Sequence, residues 1–287
     1  MSCLHMSFFW ILKGFHFLDK SDIVCLQKKE RNYDMKQLNE KVAIITGAGQ
    51  GVGKGVALCL AERGVKIVCV GRRIAPIEET ANEIKAAGGE AIAISCDTSD
   101  REKVKEVVKT AVETFGSIDI MVNNAQSIPK SAPVEDTKYE DMFMAWSTGC
   151  IGSLNFMQEC FPYFKEQGEG RVINFASATG MFGFAGQLAY ASNKEAIRGL
   201  TKIAAKEWGQ YGITVNCILP GAESPAAIEW AKKFPEKYAE VMQQQPMRRL
   251  GNPKTDIGPV IAFLSGPDCC YFSGQCMPVD GANSIMP

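Results

Sequence analysis

The chain has 287 residues, of which 46% are hydrophobic and 22% charged, enough apolar mass for one substantial core. Its 31 Lys and Arg against 32 Asp and Glu leave a net charge of -1, which supplies no electrostatic case for nucleic acid or an anionic membrane and directs attention to a small partner. The 11 cysteines include no C-x-x-C spacing, so thiols in a reducing compartment are expected rather than disulfides or a zinc knuckle.

The chain opens on an apolar, aromatic stretch, residues 4–18, interrupted by His5, Lys13 and His16. It is short for a membrane span and no small-residue cleavage site follows. The expectation is that Met35 is the true start and that residues 1–34 are upstream sequence or a disordered extension. Lys29, Glu30 and Arg31 are encodable by a purine run resembling a bacterial ribosome-binding site; a membrane-associating amphipathic leader is the competing reading. The only two histidines, His5 and His16, fall in this stretch. A Ser-His-Asp triad, a Cys-His pair and a His-ligated zinc are thereby excluded for the folded part, and no metal is expected.

From Lys41 short apolar runs alternate with longer amphipathic ones, the pattern of βαβ units around a buried parallel sheet. Strands are predicted at 42–45, 66–70, 91–95, 118–123, 171–175, 214–218 and 275–279. Helices are predicted at 51–63, 76–87, 101–115, 139–166, 188–211 and 257–264, several closed by glycine. No low-complexity linker divides them, so residues 35–287 read as one α/β domain, a Rossmann-type doubly wound parallel sheet flanked by helices. Ligand is expected at the carboxyl ends of the strands.

Between the first strand and first helix runs Thr46-Gly47-Ala48-Gly49-Gln50-Gly51-Val52-Gly53. Glycines there let a backbone approach a pyrophosphate, and the helix N-terminus stabilises its charge. After the second strand, where a carboxylate would hold the ribose of NAD, stand Gly71-Arg72-Arg73. Two guanidinium groups suit the 2'-phosphate, so NADP is expected over NAD. Further on, Tyr190 and Lys194 lie four residues apart on one predicted helix face. A neighbouring ammonium and an oxidised nicotinamide both favour the phenolate of a tyrosine, which then exchanges a proton with a carbinol or carbonyl oxygen.

Taken in order from about Val42 to Gly281, the glycine turn, Asn123-Asn124-Ala125, Ser177 ahead of Tyr190-x-x-x-Lys194, and Pro220-Gly221 resemble the short-chain dehydrogenase/reductase family. The resemblance implies Tyr190 as proton donor and acceptor, Lys194 lowering its pKa and holding the nicotinamide ribose, and Ser177 bonding the substrate oxygen. It also implies cofactor contacts from Gly47, Gly51, Val52, Gly53, Asp97, Thr98, Asn124, Pro220 and Gly221, with Asn123 supporting the turn after strand four. Tetramers or dimers through the catalytic helix and the long helix before it are implied too, in the cytoplasm.

Three departures mark a subgroup. Gly149 stands where many members carry a helix asparagine thought to hold a proton-relay water, Gln126 replaces a glycine, and Glu223-Ser224-Pro225 displaces a threonine. Together with Val172 to Ser177 and Ser273-Gly274-Gln275, these resemble clostridial, NADP-dependent bile-acid hydroxysteroid dehydrogenases of the 12α type. The implied substrate is a small apolar molecule, a steroid secondary alcohol or its ketone. Residues 222–250 then form a substrate lid, with Trp230, Phe234, Tyr238, Met242 and Met247 at roughly helical spacing, and Gln187 and Trp230 as further substrate contacts. The alternatives are a 3-oxoacyl thioester reductase with the same machinery, and a non-catalytic NADPH-binding regulator.

Overall fold

The computed structural model describes residues 38–285, so the expectations for residues 1–34 lie outside the described residues. The first strand, β1 (Val42–Thr46), is buried along its whole length. With both faces covered it has no solvent side, and it reads as an unbroken apolar run rather than an alternation. It is followed by α1 (Gly51–Ala61), β2 (Lys66–Gly71), α2 (Ile74–Ala86), β3 (Ala91–Ser95) and α3 (Arg101–Phe115). Then come β4 (Ile120–Asn123), α4 (Tyr139–Trp146), α5 (Gly152–Gln167), β5 (Gly170–Phe175) and a short α6 (Ala178–Phe182). The chain continues through α7 (Leu188–Trp208), β6 (Ile213–Pro220), α8 (Pro225–Lys233), α9 (Pro235–Gln244), α10 (Gly258–Ser265) and β7 (Cys276–Val279).

All seven strands are parallel, in the order β3-β2-β1-β4-β5-β6-β7. Alternate side chains of each strand go to opposite faces. Ala43 and Ile45 of β1 join Val56, Leu60, Ile77 and Ile261 in a layer under α1, α2 and α10. Val42 and Ile44 join Val104, Phe156, Phe164 and Ala204 under α3, α5 and α7. The predicted Rossmann-type architecture is what the chain adopts.

The helix predicted over 139–166 is not continuous. A π turn at Ser147–Ile151 separates α4 from α5. The cause lies on another helix: a Cβ on Gly149 would run into the side chain of Asn193 on α7, and Asn193 Oδ1 accepts the N–H of Cys150 at 2.8 Å. An N–H released from the helical ladder thus finds its acceptor across the helix interface. A Cβ on Gly152 would lie 2.6 Å from Thr98 Oγ1, so a second glycine keeps α5 close to the loop after β3. The predicted lid stretch, 222–250, holds two helices, α8 and α9, which divide at Phe234.

Candidate active site

The strand order runs outward in both directions from β1 and β4, so the loops after these two strands part and leave a crevice at their carboxyl ends. Thr46, the last residue of β1, organises it. Its Oγ1 accepts the N–H groups of Asn124 and Ala125, each at 3.0 Å, while Asn124 Nδ2 donates to Thr46 O at 2.9 Å. Gly47 (φ 71°) and Gly51 (φ 53°) take left-handed backbone, and a Cβ on Gly53 would collide with Gly47 O. The turn therefore needs glycine for its course and for its closeness to the helix. The N-terminus of α1 carries no side-chain cap and no acidic residue in its first turn, leaving its N–H groups and positive end to an anion. Val52 packs beneath, against the core, and offers the crevice its backbone. Of the neighbouring asparagines, Asn124 bonds the turn after β1, whereas Asn123 is buried and donates to Asn174 Oδ1 at 2.9 Å.

A cleft of about 420 Å³ extends over this crevice, lined among others by Gly47, Arg72, Arg73, Asp97, Thr98 and Gln126. Both arginines are exposed, and Arg73 Nη2 donates to Gln50 Oε1 at 3.3 Å. Asp97 accepts from Ser99 N at 3.0 Å and Ser99 Oγ at 2.7 Å. Burial pushes its carboxyl up, but the two bonds from Ser99 and the charge of Arg72 outweigh this and hold it below the ordinary carboxylate value. Thr98 is buried, its Oγ1 donating to Thr148 O at 3.0 Å, so its side chain serves the packing of the π turn. The glycine cradle, the uncapped helix and the paired guanidinium groups fit a dinucleotide.

Ser177, Tyr190 and Lys194 come together at the carboxyl ends of β5 and β6. Ser177 caps α6, its Oγ accepting Thr179 N at 3.2 Å. Its side chain and that of Gln126 both act on the Tyr190 hydroxyl. Burial raises the Tyr190 hydroxyl above its ordinary value, and the bonds from Ser177 and Gln126 pull against that shift without cancelling it. Lys194, one helical turn on, is buried at 4% exposure, its Nζ bonded to Phe175 O at 2.5 Å and 5.7 Å from the centroid of the Tyr190 ring. Burial depresses its pKa to about 7. The same burial therefore acts on both groups, favouring the neutral phenol and the neutral amine.

The remaining predicted contacts ring this centre. Gln187 is half-buried just ahead of α7, its backbone bridged to Ala132. Pro220 ends β6, and Gly221 follows, where a Cβ would lie 2.5 Å from that of Asp280. Helices α8 and α9 rise from a narrow neck: Gly251 N donates to Gly221 O at 2.8 Å and Glu223 N to Gly251 O at 2.9 Å. Pro225, the first residue of α8, approaches the glycine turn, lying 3.3 Å from where a Cβ on Gly51 would be. On these helices Trp230 and Tyr238 meet edge to face with ring centroids 5.9 Å apart. The expected apolar row does not form one face, since Met242 is buried while Met247 is exposed and packs beside Gly281.

The comparisons agree with this geometry. The sequence profile described as Enoyl-(Acyl carrier protein) reductase matches residues 47–282. A 12alpha-hydroxysteroid dehydrogenase from a Clostridium species is 36% identical over 254 residues, covering 86% of this chain and 98% of that protein. The chain belongs to the short-chain dehydrogenase/reductase family. The 3-oxoacyl-(acyl-carrier-protein) reductase FabG of Thermotoga maritima is 33% identical over 247 residues, covering 85% of this chain and 98% of its own. The crystal structure of levodione reductase superposes with a TM-score of 0.79 at 31% identity, covering 85% of this chain and 97% of that one. As a short-chain dehydrogenase/reductase the protein is an oxidoreductase that works with a nicotinamide cofactor on a small substrate.

Two participants in this site were not assigned a role from sequence. Gln126 was noted as a departure from a glycine, and that departure was the available signal that a side chain enters the cleft. Asn193 carried none, because its contact with Cys150 joins residues 43 apart in the chain.

Proposed function

We propose that this oxidoreductase is NADP(H)-dependent and interconverts the secondary alcohol and ketone of a hydroxysteroid, a bile acid oxidised at its 12α-hydroxyl. The convergence of Ser177 with Tyr190, one helical turn from Lys194, carries the reaction type. Arg72 and Arg73 on the rim of that cleft, without a carboxylate at their position, support NADP. The bound nicotinamide supplies or takes the hydride. Tyr190, held in its protonated form at neutral pH, gives its proton to the carbonyl oxygen in reduction and recovers it in oxidation. Ser177 donates to the same oxygen and fixes its position. Lys194, anchored on Phe175 O, reaches toward the ribose side of the cleft. Asp97 meets the adenine, and the backbone of Gly47, Gly51, Val52 and Gly53 cradles the phosphates. Thr98, Asn124, Pro220 and Gly221 shape the walls.

The substrate reading draws on the Clostridium relative and on residues 222–250, which we read as the lid, with Trp230 and Gln187 facing the steroid. Among the described residues no helix is long and apolar enough to cross a membrane. We read the enzyme as cytoplasmic, and as a tetramer or dimer whose contacts include α4, where Tyr139 and Phe143 are exposed at 77% and 63%. A second reading, reduction of a 3-oxoacyl thioester, is favoured by the FabG relative and by Lys233 and Lys237, both poised over the ring of Phe234 on the lid.

The test is NADPH formation from NADP+ with cholate, deoxycholate and chenodeoxycholate, with NAD+ as control cofactor. Oxidation of the first two but not the third is expected, and Tyr190→Phe should abolish it while leaving NADPH binding intact. Inertness toward all three with turnover of acetoacetyl-CoA would replace the steroid by the thioester.

A further inference from the structure

Two cysteines that the chemistry at Tyr190 does not use stand side by side at the edge of the sheet. In the register of β6 and β7, Cys217 is paired with Cys276, and both are free thiols. No other cysteines face each other in register on the described strands. The Cys217 N–H donates to Gln275 O at 2.8 Å, and Gln275 N donates to Asn216 Oδ1 at 3.1 Å, so the register is pinned at this point. Register partners on parallel strands send their side chains to the same face, with neighbouring strands about 4.8 Å apart. A disulfide spans about 4.4–6.8 Å between Cα atoms, so the backbone accepts one here without re-pairing the strands.

The two thiols differ in access. Cys217 is fully buried in a small cluster with Ala176 and Leu219, whereas Cys276 packs on that cluster from the last strand of the sheet and is only half-buried. A small oxidant therefore meets Cys276 first. On α7, which covers β6, Arg198 donates from Nη1 to Glu195 Oε2 at 2.7 Å, while its buried Nε has no hydrogen-bond partner among the described residues. The Cys217 thiol lowers that of Cys276 below its ordinary value; burial opposes this and the Arg198 charge reinforces it, while Cys217 is pushed up. The outer cysteine thus ionises first, and the inner one is placed to resolve what forms on it.

The pair also adjoins the catalytic centre. Cys217 is in register with Asn174 of β5, and the next residue, Ile218, accepts the N–H of Ala176 at 2.9 Å. Ala176 lies between Ser177 and Phe175, whose carbonyl holds Lys194. A pull on β6 at Cys217 therefore acts on the backbone that positions both side chains.

We propose that Cys217 and Cys276 are an oxidisable pair, closed to a disulfide by a peroxide and reopened by a dithiol, whose closure lowers turnover. The Cys276 thiolate attacks one peroxide oxygen and the O–O bond breaks. The other oxygen leaves as hydroxide and becomes water with the proton the thiol released. The Cys217 sulfur then attacks the sulfenic sulfur, the S–O bond breaks, and a second water leaves with the Cys217 proton. The thiols are oxidised by two electrons together and the peroxide is reduced to water.

The experiment treats the full, reduced chain with equimolar hydrogen peroxide, blocks the remaining thiols with iodoacetamide and digests the protein without reductant. Mass spectrometry should find the Cys217 peptide joined to the Cys276 peptide, and dithiothreitol should separate them. Turnover of whichever substrate the untreated enzyme accepts should fall about tenfold, less than the ~100-fold that a misplacement of about 1 Å can cost, and recover with dithiothreitol. Cys276→Ser should start with wild-type turnover and keep it after peroxide; if it does not fold, Cys276→Ala takes its place. Absence of the joined peptides, their presence at undiminished turnover, or equal inactivation of Cys276→Ser would each overturn the proposal. Joining of two chains through the exposed Cys270 would give a dimer on a non-reducing gel that persists in Cys276→Ser, and inactivation by that route would overturn it too. The activity arm rests on the roles proposed for Ser177 and Lys194. An untreated enzyme inert toward every substrate tried would count against those roles, and the joined peptides would still decide the pairing.

Discussion

Replacing Lys194 by methionine should make the cofactor-free protein more stable, and by an amount that depends on pH. The lysine is buried and titrates near 7 in the fold, against 10.5 in an unfolded chain, a difference of about 3.5 units. At ~1.4 kcal/mol per unit the fold carries a cost of about 5 kcal/mol when the group is protonated, and about 4 kcal/mol at pH 7, where it is half neutral. Methionine fills a similar volume without that cost but forfeits the bond to Phe175 O, about 1 kcal/mol, leaving a gain of about 3 kcal/mol at pH 7. The direction with pH follows from which state holds the proton. Below pH 7 both states hold it and the cost is complete. Between 7 and 10.5 only the unfolded chain holds it, so the wild type gains stability as pH rises and the advantage of the variant shrinks toward nothing. Urea denaturation of both proteins at pH 6, 7, 8.5 and 10, followed by tryptophan fluorescence, reads the difference directly, and groups common to both cancel. A variant no more stable than wild type at pH 7, or an advantage unchanged between pH 7 and 10, would refute the argument that burial sets the state of this lysine. The variant should also be inactive, placing stability and chemistry in opposition at one side chain.

Substituting alanine at both Arg72 and Arg73 should lower kcat/KM for NADP by ten- to a hundredfold, the worth of charge-assisted bonds to a phosphate, with little change for NAD. Parallel kinetics with the two cofactors would show it, and equal losses for both would remove the arginines from cofactor choice. At the π turn, Gly149→Ala places a methyl group against the buried amide of Asn193 and should cost about 1–3 kcal/mol. Thermal melts of Gly149→Ala with and without Asn193→Ala should show the second change relieving much of the first, and simple additivity would mean that the two residues do not meet.

The central strands were legible because they are buried on two sides. Val42 to Ile45 and Ile67 to Val70 leave no polar position, and their apolar runs end within a residue or two of the observed limits. The helix end at Phe115 was legible through Gly116 (φ 85°), a left-handed cap whose sequence signal is local. The site was legible where its spacing is local too, as for Tyr190 and Lys194 on one helical turn. What stayed hidden depends on contacts between distant segments. The π turn answers to Asn193, the turn after β1 is held by Asn124 although Asn123 has the same side chain, and Lys194 turns to a carbonyl on β5 instead of the tyrosine. In each case two residues of ordinary type are distinguished only by which neighbour the fold brings to them.

The paired neck from Gly221 to Gly251 has a further consequence. Its two backbone bonds close a loop of helices whose ends stay adjacent whatever lies between them. Lengthening such a closed excursion adds little entropic cost, since closure depends only weakly on contour length. Residues can therefore be inserted, deleted or exchanged within the excursion at little entropic cost. A chain built this way can diverge in this excursion while the sheet that carries it stays unaltered. Proteins that share about a third of their residues with it and bear names as different as steroid dehydrogenase and acyl-carrier-protein reductase are the outcome such an architecture permits.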